Sequence, residues 1–264
     1  MDFSSYTCIE FERQGRVLTI ALNRPEQRNA VNARLHHELS RVFTDAQRDE
    51  GSDIVVLTGR GRAFCAGGDI DWMQQSIDEP AEFERTAREA KDIVYSQLDL
   101  EKPLICKLNG HATGLGASLA LLSDVIIASD EARIGDPHVS VGLVAGDGGA
   151  LIWPQLVGYA KAKRYLLTGE LLGAKEAERI GLLTEVVPLA QLDGAVDALA
   201  SQLASGATKA IRWSKITANL PLRQLFHSYF DAGVAYECMS NLTQDHAEAV
   251  RAFREKRKPV FSGR

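Results

Sequence analysis

Short apolar runs, several of them rich in β-branched residues, alternate with longer segments of helical periodicity in the first half of the chain. The runs RVLTIAL, IVVLT, PLICKL and DVIIA each have the length of one strand. A strand that is apolar on both faces must be covered on both faces, which is typical of a parallel sheet between layers of helices. Helical patterns over Val31–Arg48 and Ala81–Leu98 separate these runs, so the sequence predicts consecutive βαβ units.

The pattern changes after about Gly149. Helical periodicity dominates from there, and the chain from Thr208 to Arg257 has few strand signals. We therefore predict an α/β fold, with a core domain over residues 1–200 and a helical C-terminal region over residues 201–264.

Charge and composition limit the classes of function. The 264 residues carry 30 basic and 35 acidic side chains, which gives a formal net charge of −5. Binding of nucleic acid or of an anionic membrane surface draws on an excess of positive charge, so we expect neither. The N-terminal MDFSSYTCIEFERQG is unlike a secretory signal, and no apolar run approaches the ~20 residues that span a bilayer. The four cysteines form no CxxC pair, so we expect free thiols in a cytoplasmic protein.

Two glycine-containing loops each follow a predicted strand. AFCAGGDI (63–70) follows IVVLT, and NGHATGLGAS (109–118) follows PLICKL and leads into an apolar helix. Neither is a P-loop or a dinucleotide motif in its usual setting. Glycine allows close approach of the main chain to a ligand, and free N–H groups at a helix start favour negative charge. The loops are therefore suited to give two N–H donors to one oxyanion, and tight turns packed against their neighbours are the alternative.

These segments resemble the crotonase superfamily, also called the enoyl-CoA hydratase/isomerase family. The resemblance rests on LNRPEQRNAVN (22–32), GRGRAFCAGGDI (59–70), LNGHATGLGASLALLSD (108–124), ARIGDPHVSVGLVAGDGG (132–149), LLTGELLGAKEAERIGLLTEVVP (166–188) and AFREKRKPVF (252–261). It implies a crotonase-like spiral of ββα units, a helical C-terminal trimerisation region, and a homotrimer or a dimer of trimers. It also implies an acyl-CoA substrate, so coenzyme A arrives as part of the substrate and no cofactor is bound permanently.

The family motifs imply roles for individual residues. By position, the oxyanion-hole N–H groups are those of Gly68 and Leu115. Lys256 matches a C-terminal lysine that reaches a CoA phosphate, often from a neighbouring subunit, and a solvated charge in a basic tail is the alternative. The CoA-binding residues implied in this way are Arg28, Ala30, Ala66, Asp69, Ile70 and Lys256.

The two glutamates that handle water in typical hydratases of this family are replaced here by Ser118 and His138. A histidine suits proton transfer near neutral pH, because its ordinary pKa is about 6.5. Asp147, in the segment AGDGG, could bond to one imidazole nitrogen and leave the other facing water or substrate. A surface histidine and an aspartate that caps the following helix are the alternatives.

The stretch PHVSVGLVAGDGGALIWPQLVG also resembles the β-diketone hydrolases of the superfamily, whose pattern includes a glutamate that fits Glu237. The sequence therefore predicts an enoyl-CoA hydratase-like lyase in which His138, oriented by Asp147, activates water as general base and returns a proton, while Glu237 positions that water. A hydrolase that cleaves a carbon–carbon bond of a β-diketone or 3-oxoacyl-CoA is one alternative, and an inactive CoA-thioester binder is another. We expect no metal site, because the histidines outside these motifs lack ligand spacing with cysteines or carboxylates.

Overall fold

The computed structural model describes the backbone of residues 1–264 and every side chain except those of residues 80 and 82. The strands are β1 (Ile9–Gln14), β2 (Val17–Leu22), β3 (Ile54–Gly59), β4 (Ala63–Cys65), β5 (Leu104–Leu108), β6 (His111–Thr113), β7 (Val125–Ser129), β8 (Arg133–Gly135), β9 (Leu172–Gly173) and β10 (Glu185–Val187). The helices are α1 (Ala33–Arg48), α2 (Ile70–Asp78), α3 (Pro80–Asp99), α4 (Leu115–Leu121), α5 (Gly149–Val157), α6 (Tyr159–Thr168), α7 (Ala174–Arg179), α8 (Leu192–Ala204), α9 (Thr208–Asn241) and α10 (Gln244–Arg254).

A six-stranded sheet with the order β1-β2-β3-β5-β7-β10 carries the main core. Its strands pair in parallel, apart from the antiparallel pair of β1 and β2. Along β3, Val55 and Leu57 pack into the larger core that includes α1, whereas Ile54 and Val56 pack into a second core with α8. Both faces of the strand are therefore covered, as the run IVVLT predicts, and the predicted α/β architecture is confirmed.

A second sheet, with the order β4-β6-β8-β9, determines where the loops of interest meet. β4, β6 and β8 are parallel to one another. Because the carboxyl ends of parallel strands lie at one edge of a sheet, the segments that follow them leave the sheet on the same side. These segments begin at Ala66, Gly114 and Asp136, so three distant parts of the sequence converge there.

Helices dominate the C-terminal region, as predicted. The proposed division at residue 200 falls inside α8, which packs on β3, β5 and β7, and the long helix α9 begins only at Thr208. α9 packs against α3 and α5, which brings its C-terminal half close to the loops after the second sheet. Across the described part of the chain, no helix has both the length and the apolar character that crossing a membrane requires.

Candidate active site

One cavity collects residues from the three converging segments and from α9. Gly68, Leu115, His138, Asp147 and Glu237 all lie on its wall. It contains about 690 Å³ of space that protein atoms do not fill, part of it open to solvent. The structure thus brings together the five residues that the sequence motifs imply for oxyanion binding and proton transfer.

The backbone amides of Gly68 and Leu115 are two unused donors on this wall. Parallel pairing with Val31 holds the loop at Gly68, and Leu115 is the first residue of α4. Gly114 precedes it with φ +54° and ψ −126°, a backbone conformation that residues with a Cβ rarely adopt. Among the hydrogen bonds of the described residues, none uses either amide N–H. The pair therefore has the character of an oxyanion hole.

His138 opens a short 3₁₀ turn (His138–Val141) after β8, and its ring is held by Asp136. The Nδ1–H of His138 donates to Oδ1 of Asp136, a residue that is only 1% exposed. The expectation that Asp147 orients the ring is therefore corrected, and Asp136 was missed from the sequence. The Asp-Pro-His spacing could have suggested it, because aspartate often bonds to groups two residues ahead. A Cβ at Gly149 would lie 1.9 Å from Oδ2 of Asp136, so this glycine makes room for the carboxylate.

Asp147 lies on the other side of the imidazole. Its Oδ2 is 3.7 Å from Nε2 of His138, an ion-pair distance rather than a hydrogen bond. Its Oδ1 accepts from the hydroxyl of Ser118 at 3.0 Å and from the N–H of Gly149 at 3.3 Å. Asp147 is not the N-cap considered as its alternative role, because the N-cap of α5 is Gly148, although the aspartate accepts from the first N–H of this helix. The buried Ser118, at a glutamate position of the family, holds Asp147 in place.

Glu237 reaches the cavity from α9. Its side chain makes no hydrogen bond to any residue that the structure describes. A Cβ at Gly146 would lie 2.3 Å from the carbonyl oxygen of Gly233 and 2.7 Å from Cβ of Glu237. Only glycine at position 146 therefore allows α9 to come this close to the loop that carries Asp147.

The charges of these groups are strongly interdependent. Burial opposes the charging of His138, but the carboxylates of Asp136 and Asp147 outweigh it and hold the pKa of His138 well above its usual value. Burial, together with the charge of Asp147, raises the pKa of Glu237 to about 8. Burial also raises the pKa of Asp147, against the opposing charge of His138. At neutral pH the ring is therefore an imidazolium beside a protonated Glu237, so the expected resting base is instead a proton donor.

The same cluster has some features of a metal site. Asp136, His138 and Asp147 each offer one ligand atom, and these atoms lie within 4.8 Å of one another. A carboxylate on Nδ1 leaves Nε2 of His138 as the ligand atom, as in many metal-bound histidines, but a metal there must displace the Nε2 proton, and the raised pKa of the ring opposes this. The arrangement therefore suits proton transfer better than metal binding.

A groove adjoins the cavity and shares Gly68, Met73 and His138 with its wall. The groove contains about 1,260 Å³ of space not filled by protein atoms. Phe253 of α10 is the lining residue from the C-terminal part of the sequence. Lys256 is not part of the described wall; it is exposed and follows Phe253 in the turn after α10. The residues of the implied CoA site that do line the groove are Arg28, Ala30, Ala66, Asp69 and Ile70.

Comparisons with known proteins identify the family and the fold. A family model described as enoyl-CoA hydratase/isomerase matches residues 12–264. The 2,3-dehydroadipyl-CoA hydratase of Escherichia coli (strain K12) is 35% identical over 258 residues, which cover 96% of this chain and 97% of that protein. The crystal structure of an enoyl-CoA hydratase/isomerase from Mycobacterium paratuberculosis superposes with a TM-score of 0.91 at 33% identity, covering 94% of this chain and 99% of that one.

A β-diketone hydrolase is also among the similar structures. The enzyme from the cyanobacterium Anabaena sp. PCC 7120, bound to (S)-3-oxocyclohexyl acetic acid, matches with a TM-score of 0.83 at 28% identity. The match covers 91% of this chain and 96% of that one. The similar structures share the fold of this chain, so the predicted crotonase-like fold is confirmed. Because the family model spans nearly the whole sequence, the chain belongs to the enoyl-CoA hydratase/isomerase family, the crotonase superfamily.

Proposed function

We propose that the chain is an enoyl-CoA hydratase-like carbon–oxygen lyase in which a His–Asp pair replaces the usual two glutamates. The observation that carries this proposal is the junction of groove and cavity at Gly68 and His138. The CoA portion of the substrate occupies the groove, its acyl group enters the cavity, and the thioester carbonyl lies between them. Coenzyme A thus enters as part of the substrate.

The backbone amides of Gly68 and Leu115 receive the thioester oxygen. Addition of water to the conjugated double bond pushes negative charge onto this oxygen, so donors that wait for it stabilise the transition state more than the substrate. Each such donor typically contributes ~3 kcal/mol. The free N–H groups of both residues support this role.

Proton transfer is divided between His138 and Asp147. As the oxygen of water bonds to Cβ, the Asp147 carboxylate takes a proton from it, and the electron pair of the double bond moves to the thioester oxygen. The enolate then takes a proton at Cα from the imidazolium of His138. The proton on Asp147 passes to His138 and restores both groups, while Glu237 positions the water. The raised pKa of His138 keeps the ring protonated and suits it as the acid. The pKa of Asp147, which burial raises, makes this carboxylate a stronger base.

Replacement of His138 tests this division. His138→Ala should reduce kcat for hydration of crotonyl-CoA by about 10²- to 10⁴-fold. The reaction is measured by the loss of absorbance of the conjugated thioester. His227→Ala is the matched control, because His227 is exposed on α9 and stacks on Tyr95 outside the cavity. If His138→Ala turns over crotonyl-CoA as fast as the control, His138 has no place in the mechanism.

Hydrolysis of a carbon–carbon bond is the second candidate, favoured by the similarity to the Anabaena β-diketone hydrolase. Water would attack one keto carbon of a β-diketone or 3-oxoacyl-CoA, and the adjacent carbon–carbon bond would break to give a carboxylic acid and an enolate. The amides would hold that enolate and His138 would protonate it. Incubation with crotonyl-CoA, acetoacetyl-CoA and a cyclic β-diketone separates the two reactions by the compound consumed. Ala66→Phe, which fills the groove, should slow turnover of the thioesters and leave a free diketone unaffected.

A non-catalytic CoA-thioester binder is a third possibility for a family member without the two glutamates. Tight binding of acyl-CoA without turnover of any enoyl, 3-oxo or 3-hydroxy thioester would favour it.

Self-association is part of the proposal. We infer a homotrimer or dimer of trimers, and light scattering of the purified chain tests it. Large apolar side chains exposed along α9 support it, because a solvated helix seldom carries so many. They are Trp213, Leu220, Tyr229, Tyr236 and Met239.

A further inference from the structure

One polar side chain of the cavity wall has a hydrogen-bonding atom that the proposed chemistry leaves unused. His246, in the first turn of α10, lines the cavity beside Leu143 and Val234 and is fully buried. Its Nε2 is buried and has no hydrogen-bond partner among the residues that the structure describes. A buried polar atom without a partner is costly, so a group that enters the cavity is the natural partner.

The other ring nitrogen fixes what Nε2 can do. Nδ1 of His246 lies 2.6 Å from the carbonyl oxygen of Val141. A carbonyl oxygen only accepts hydrogen bonds, so Nδ1 carries the proton. Burial lowers the pKa of His246, and the start of a helix also disfavours a cation. The ring is therefore neutral, and Nε2 presents a lone pair that accepts a hydrogen bond and cannot donate one.

The neighbouring polar group does not satisfy this lone pair. Asn241, which also lines the cavity, directs its Nδ2 to the carbonyl oxygen of Ser76 at 3.2 Å. Leu143 and Val234 contribute apolar surface to the same wall. His246 is thus an unpaired acceptor on the wall of the cavity.

We propose that His246 forms a subsite that accepts a hydrogen bond from a hydroxyl on the acyl group of the substrate. The proposal rests on the proposed function in one respect, the entry of the acyl group of a CoA thioester into this cavity. A ketone or carboxylate at this point offers only acceptors and would face the lone pair of Nε2. A carboxylate would also meet the charges of Asp136 and Asp147, which share the single imidazolium of His138. An ammonium group is also a donor, but a cation costs more to remove from water than a neutral hydroxyl.

Binding of saturated thioesters tests the subsite without requiring turnover. The probes are 4-hydroxybutyryl-, 5-hydroxypentanoyl- and 6-hydroxyhexanoyl-CoA, each compared by calorimetry with the thioester that lacks the hydroxyl, and adipyl-CoA is the carboxylate probe. In the native chain, at least one hydroxyl thioester should bind about tenfold more tightly than the matching thioester without the hydroxyl, because Nε2 of His246 stays unpaired when the hydroxyl is missing. In His246→Phe this ratio should fall to about one.

Two comparisons separate recognition from structural damage. Loss of the bond to Val141 in His246→Phe would weaken both thioesters of a pair equally, so the ratio is insensitive to it. His36→Phe is the matched control, because His36 lines the same cavity but pairs through Nδ1 with Glu89 at 2.8 Å. This variant should keep the preference for the hydroxyl.

The outcomes distinguish this subsite from the reaction itself. Equal binding of every pair by the native chain, a preference that survives in His246→Phe, or tighter binding of adipyl-CoA would overturn the subsite. A preference that disappears only in His246→Phe supports it, even if crotonyl-CoA is not hydrated, in which case the hydratase proposal alone fails. Failure of every CoA thioester to bind would overturn both.

Discussion

Asp136→Asn tests whether the imidazole of His138 works because a buried carboxylate holds its proton. Asparagine has nearly the shape of aspartate and fits the space beside Gly149, so the change removes charge with little change in volume. The Nδ1–H of His138 then meets a neutral amide in place of Oδ1 of Asp136. We expect the variant to fold and to lose most of its activity.

The magnitude follows from the contact. A hydrogen bond to a charged group contributes about 1.5–3 kcal/mol. Since 1.36 kcal/mol corresponds to a tenfold change in a protonation constant, the imidazole of His138 should hold its proton roughly 10- to 150-fold more weakly. Loss of the same negative charge should also lower the pKa of Glu237, because Asp136 is one of the charges that raise it. With the wrong tautomer accessible, kcat should fall by about 10²- to 10⁴-fold.

Two measurements are needed, a titration of the His138 ring by NMR and the pH dependence of kcat/KM with crotonyl-CoA. Asp45→Asn is the control, because Asp45 is also a buried carboxylate, accepts a hydrogen bond from Tyr6 at 2.7 Å and lies away from the cavity. This control should lose stability without moving the titration of His138. If Asp136→Asn titrates and turns over substrate like the native chain, the imidazole is not oriented or charged by this carboxylate and the reasoning fails.

Three further changes probe the surroundings of the site. The fold raises the pKa of Glu237 from 4.5 to about 8. The free energy of unfolding should therefore fall as the pH rises between these values, by up to roughly 1.4 kcal/mol per pH unit. Urea unfolding of Glu237→Gln should show a weaker dependence of this free energy on pH. Gly114→Ala places a Cβ 3.3 Å from Cε1 of His138 at a φ of +54°, so kcat should fall more than the affinity for CoA. Gly146→Ala places a Cβ 2.3 Å from the carbonyl oxygen of Gly233 and should lower the unfolding free energy by about 1–3 kcal/mol, measured by the same unfolding experiment.

Elements with a strong local signal were predicted well from the sequence. The strand IVVLT and the amphipathic helix at Val31–Arg48 appear as β3 and α1 with bounds shifted by one or two residues. Each depends on the periodicity of its own side chains. β1 (Ile9–Gln14) and α2 (Ile70–Asp78) were missed. β1 is defined by its pairing with β2, a contact that local periodicity does not encode.

The candidate site was predictable only as a set of separate segments. Family motifs implied Gly68, Leu115 and His138, and the parallel order of β4, β6 and β8 explains why the structure brings their loops to one sheet edge. The Asp-Pro-His spacing suggests Asp136 as a partner of the ring, but it does not determine which carboxylate meets which ring nitrogen, since Asp136 and Asp147 are both close enough along the chain to reach Nδ1.

Packing around the two carboxylates decides between them. Gly149 leaves space for Asp136 beside Nδ1, while Ser118, buried in α4, binds Oδ1 of Asp147 and keeps its Oδ2 toward Nε2. In this structure the serine that replaces a family glutamate therefore supports a carboxylate supplied by another loop. If that support matters, Ser118→Ala should lower kcat through Asp147, so it should add no further loss of kcat when Asp147→Asn is already present, because residues that act as one unit are not additive. Losses of kcat that add in free energy in the double variant would mean that the hydroxyl and the carboxylate act separately.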